Sequence, residues 1–109
     1  MKRIPRLPES VPSALGPVQV ERVSKAVLAS DGVPAYGDWE WHRRTIRVWD
    51  GLTGWPMRQV FWHEWTHMVL SDAGVASEMP NVVLEMVCDA VANAKVHAER
   101  AGHGAAADV

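Results

Sequence analysis

At 109 residues the chain has room for one domain of ordinary size. A hydrophobic fraction of 48% with 22% charged residues matches a folded globular domain and excludes general disorder. The net charge of −2 leaves no basic excess for nucleic-acid phosphates, and the single cysteine, Cys88, excludes an intramolecular disulfide and a cysteine-built zinc finger.

The N-terminal MKRIPRLPES begins with basic residues. Pro5, Pro8, Pro12 and Pro17 break each run before a signal-peptide core can form. Residues 1–17 are therefore expected to be an extended, proline-rich arm. No charge-free apolar stretch reaches 18 residues, so no membrane span is expected and the expected compartment is the cytoplasm. Residues 18–29 mix a strand-like alternation (Val18, Val20) with a helix-like spacing (Val23, Ala26, Val27), and we favour a strand. Asp31-Gly32-Val33-Pro34 reads as a turn, and Gly37-Asp38 as a bend. Residues 39–49 alternate in β-forming types and end at Asp50-Gly51. Arg43, Arg44 and Arg47 form a basic cluster there, expected to be a solvated edge, with contact to an acidic peptide substrate as the alternative.

Pro56 suits the first turn of a helix, which runs without a breaker to about residue 71, with Gly74 as its stop. Phe61, Trp62, Trp65, Met68, Val69 and Leu70 leave little polar arc, so this helix is expected to be buried. All six tryptophans lie between Trp39 and Trp65. Trp62 and Trp65 are expected in the core, with Trp39, Trp41 and Trp49 covering the sheet. Ser77 is the expected cap of a last helix over 80–101, with Pro80 in its first turn. Residues 102–109 are expected to be a flexible tail. The fold class is α+β: a small twisted sheet packed on one helix, with a second helix alongside. Residues 18–101 form the domain.

Within the buried helix stands His63-Glu64-Trp65-Thr66-His67. Histidines at i and i+4 share a helical face, with Cβ atoms about 5–6 Å apart, and can converge on one metal ion. Glu64 lies about 100° around the helix, placed to reach a metal-bound water without being a ligand. By chance this pattern arises in on the order of a few per thousand chains of this length. The plain alternative is a metal-free pair of buried, hydrogen-bonded groups. A three-histidine extension is absent, because Leu70 and Ala73 occupy the positions it needs. The last helix carries Glu85 and Asp89, again at i and i+4, among apolar neighbours. That helix is expected to be sandwiched between two apolar contacts. The plain alternative here is a surface carboxylate pair.

His63-Glu64-x-x-His67 followed by Glu85-x-x-x-Asp89 resembles the gluzincins, the thermolysin-like zinc metallopeptidases. The short layout is most similar to minigluzincins and small phage-type putative peptidases. The resemblance covers residues 63–89 by motif and about 18–101 by layout. It implies Zn2+ held by His63, His67 and Glu85, with Glu64 as general base. It implies Asp89 orienting His63, and a peptide or protein substrate paired to an edge strand at Ile46, Arg47, Val48 and Trp49. It also implies latency as an option, with residues 97–109 or the arm over the cleft. The sequence departs from larger gluzincins at Leu84, where they carry asparagine, and in a shorter His67-to-Glu85 spacing. Their lower subdomain, which supplies transition-state donors, has no counterpart. Tyr36, His42, His97 and His103 are the candidates for that donor. A monomer without nucleic-acid or membrane partners is expected. The alternative is a non-catalytic, zinc-stabilised interaction domain derived from such a peptidase. Cys88 is expected to be a small buried apolar residue.

Overall fold

Alternating apolar residues build a four-stranded mixed sheet; one long helix packs on it and a second docks on the first. The computed structural model describes residues 3–28 and 35–107. In chain order the elements are β1 (Ser10–Val11), β2 (Val18–Val23), α1 (Lys25–Leu28), β3 (Gly37–Glu40), β4 (Thr45–Trp49), α2 (Gly54–Asp72) and α3 (Asn81–Ala107). A 3-10 turn, Ala76–Glu78, joins the two long helices. The α+β class read from the sequence is the class observed. Among the described residues, no helix is long and apolar enough to cross a membrane.

The strand order is β1-β2-β4-β3. β2 and β4 run parallel, with Val20 opposite Ile46, while β3 and β4 are antiparallel, with Trp39 opposite Ile46. This corrects one expectation. Ile46, Arg47, Val48 and Trp49 form an interior strand, so their main-chain groups are already paired on both sides. The edge nearest α2 and β4 is β3.

Ile46 and Val48 point inward from β4 and meet Val18 from β2 and Met57, Phe61 and Met68 from α2. Trp39, Trp62 and Trp65 pack around this cluster, partly buried. Trp41 does not cover the sheet. It sits in the β3–β4 turn, 62% exposed and stacked on His42, because Arg44 takes a left-handed φ of 47° that ends the strand alternation. α2 is also less enclosed than expected, with Val69 exposed. It ends in a Schellman motif: Val75 N–H donates to Leu70 O, Gly74 N–H to Ser71 O, and Gly74 supplies the positive φ of 75°.

α3 begins at Asn81, one residue after Pro80, and Ser77 lies in the 3-10 turn instead of capping the helix. It docks on α2 through Cys88, Ala92 and Val96, a buried row of small or short side chains at helical spacing. Its other face is uncovered, with Val82 67% and Met86 65% exposed, so α3 is packed on one side and not sandwiched. It continues to Ala107 through the residues expected to form a flexible tail. The Asp31–Pro34 turn lies outside the described residues. Glu99 ties α3 to α2 by accepting from Arg58 Nη2 at 2.5 Å and from Trp62 Nε1 at 2.5 Å.

The proline-rich arm is docked. Leu7 and Val11 pack on the core, and Arg6 O accepts from Arg58 Nη1 at 3.0 Å. Further along, Ser13 Oγ donates to Asp72, which also receives Arg44 at 2.8 Å. That guanidinium holds the Asp72 carboxyl below its usual range of about 3.8. The folded state therefore favours the ionised form. The contribution is complete above pH 3.8 and is lost as pH falls through the lower folded value. Asp72→Asn should melt below the parent protein at pH 7, and the two melting curves should converge in strong acid.

β3 approaches α2 closely at Gly37. A Cβ there would lie 2.6 Å from Val60 Cγ1 and 2.8 Å from the Arg47 carbonyl oxygen. The second contact is backbone and has no rotamer to yield. Gly37→Ala should cost about 1–3 kcal/mol in denaturant unfolding, the usual penalty for overpacking.

Candidate functional site

α2 presents His63 and His67 toward the N-terminal half of α3, while Glu64 turns toward β3 at Gly37. One carboxylate there bridges both histidines. Glu85 Oε2 lies 3.1 Å from His63 Nε2, and Glu85 Oε1 lies 3.0 Å from His67 Nε2. One ligand-type atom from each residue lies within 4.8 Å of the other two, so these three could hold a metal ion. The imidazole rings are 4.9 Å apart between centroids. His63 uses its second nitrogen for Asp89, with Nδ1 2.8 Å from Oδ1. Helical spacing accounts for the convergence: each helix contributes a pair at i and i+4, and docking through Cys88 and Ala92 sets the pairs face to face.

Glu64 is the buried member, only 8% exposed. Burial, and then the negative charges of Asp38 and Glu85, push its carboxyl up to about 8. His67 is held below its usual value, first by burial; Glu85 works against this and His63 with it. The Cys88 thiol is pushed up to about 12, first by burial and then by Glu85, Glu64 and Asp89. It is an inert packing residue, as its position in the helix row requires.

A cavity of about 220 Å³ opens beside these groups, lined by Tyr36, Gly37, Gln59, Val60, His63, Glu64 and Asp89. Tyr36 thus comes to the same cavity as Glu64. His42 is in the β3–β4 turn, His97 lines a different cavity farther along α3, and the side chain of His103 lies outside the described residues. None of the described residues of the arm lines this cavity. Arg47 is not free for a ligand, because it forks onto Asp38 at 2.8 and 2.5 Å. Gln59 and Val60 were not singled out in the sequence, and Gly37 was read only as part of a bend. Gln59 carried a signal, since it precedes His63 by one helical turn. Gly37 carried none, because its role depends on β3 docking beside α2.

No family model matches the chain, and neither the curated proteins nor the solved structures contain a match to it.

Proposed function

We propose that the chain is a zinc-dependent metallopeptidase. The observation that carries the reading is the division of labour around one point. Three residues able to ligate a metal converge, a fourth contacts the ring of one of them, and a buried carboxylate stands beside the set without joining it. A structural site has no use for that last group. The donor chemistry suits zinc, which takes imidazole nitrogen and carboxylate oxygen at about 2.0–2.2 Å in tetrahedral array. Such bonds put neighbouring ligand atoms about 3.3–3.6 Å apart, and the candidate ligand atoms here lie within 4.8 Å of one another.

His63, His67 and Glu85 would hold the ion, and Asp89 would fix the ring orientation of His63. When bound, zinc supplies Lewis acidity toward a carbonyl and lowers the pKa of a water. Glu64 accepts a proton from the attacking water and hands it to the leaving amine. Tyr36 is the best-placed candidate to donate a hydrogen bond to the developing oxyanion, being the one candidate among the described side chains that shares a cavity with Glu64. The substrate main chain pairs with the outer edge of β3, whose side along this cavity is unpaired among the described residues.

The test is zinc content together with chelator-sensitive cleavage of a mixed peptide library. About one zinc per chain with cleavage supports the proposal. One zinc per chain, unfolding on chelation and no cleavage would favour the interaction-domain alternative.

A further inference from the structure

A second cavity, of about 540 Å³, lies farther along the groove between α2 and α3. Gln59 lines both cavities, so the second adjoins the site across that side chain. On α3, Asp89, Asn93 and His97 mark successive turns of one face, and Arg100 follows. Across the groove Gln59 Nε2 donates to Asn93 Oδ1 at 2.7 Å, and the buried Val96 forms part of the floor.

The charge at the far end is unbalanced. Arg43, Arg44, Arg47 and Arg58 each hold a carboxylate. Arg100 lies 5.9 Å over the ring of Trp55 and has no carboxylate partner among the described residues. None of the described residues lining this cavity is acidic. The adjacent Glu99 is turned to Arg58 and Trp62. An indole braces the guanidinium on the groove wall, and its charge is left for something that enters.

We infer that this groove is a subsite for a peptide carboxylate, with Arg100 as the anchoring cation and Asn93 and His97 as polar contacts beside it. The inference rests on the peptidase reading and narrows its substrate class to extended acidic peptides. From Asp89 to Arg100 the helix rises about 16 Å at 1.5 Å per residue. An extended peptide covers that in about five residues at 3.3 Å each. The carboxylate comes from an acidic side chain at that remove from the cleaved bond, or from a free chain terminus there.

The test uses the zinc-loaded Glu64→Gln protein and fluorescently labelled peptides, read by anisotropy. The peptides carry Glu, Gln or Lys three to five residues from the centre on either side, each with a free or an amidated C-terminus. Glu peptides should bind about tenfold more tightly than Gln peptides, as a charge-assisted contact requires. Arg100→Gln should remove that preference, and Arg100→Glu should turn it toward the Lys peptides. A gain confined to free C-termini identifies the terminal carboxylate as the ligand. Equal affinity for Glu, Gln and free-terminus peptides overturns the subsite. Cleavage measured with the parent protein separates the two readings. Cleavage without any charge preference in binding removes the subsite and keeps the peptidase, and Arg100-dependent binding without cleavage does the reverse.

Discussion

Replacing Glu64 by glutamine is expected to lower peptide hydrolysis by about 10²–10⁴-fold, the usual contribution of a positioned general base, while zinc content stays unchanged. The two results belong together. Glu64 lies outside the converging set of His63, His67 and Glu85, so the substitution leaves every ligand in place. Glutamine matches glutamate in size and fits the same buried space. Residual cleavage equal to that of the parent protein would remove Glu64 from the mechanism. A second readout is independent of activity. In the metal-free protein burial holds the Glu64 carboxyl near 8, against about 4.5 in the unfolded chain. Between those values the folded state keeps a proton that the unfolded state has released. Stability therefore falls as pH rises through this window, by up to about 1.4 kcal/mol per pH unit. Glu64→Gln should flatten that slope. A bound dication lowers the carboxyl pKa and brings the base into its working, ionised form.

Removing zinc should have the largest effect on stability. At a free concentration about 1,000-fold above its dissociation constant, a ligand that binds only the folded state adds about 4 kcal/mol. In a domain of this size that corresponds to a fall in Tm of about 15–25 °C on chelation. The structure makes the fall steep. Glu64, Glu85 and Asp89 crowd one side of the α2–α3 contact, and α3 is held by a single packed face. Glu85→Ala should give the same loss without chelator, and added zinc should restore little of it. A Tm indifferent to chelator and to Glu85→Ala would show that no structural or catalytic ion is held at this place.

The candidate site was legible in the sequence because its parts are local. His63 and His67 lie in five consecutive residues, and Glu85 and Asp89 in another five, so helical geometry alone puts each pair on one face. That Glu85 faces both histidines follows from two helices joined by a short turn, which the spacing of Gly74 and Pro80 foretold. The edge strand was not legible. Ile46 and Val48 alternate with more exposed residues as they would in either an edge or an interior strand, because alternation reports the covered face of a sheet and not its neighbours. The order β1-β2-β4-β3 depends on a parallel pairing between strands distant in sequence. Trp39 and Trp41 read as one strand because nothing in the local pattern announced the left-handed backbone at Arg44. Tyr36 could not be chosen from four candidates until β3 was seen against α2.

The placement of every proposed ligand within one pair of sequential helices has a consequence for the order of folding. His63 and Glu85 are 22 residues apart and meet across a helical hairpin, whereas Val20 must find Ile46 through parallel pairing. Local helix contacts form faster than long-range strand pairing. The ion should therefore be captured by the nascent hairpin before the sheet closes, so that an early refolding phase responds to zinc and a later one does not.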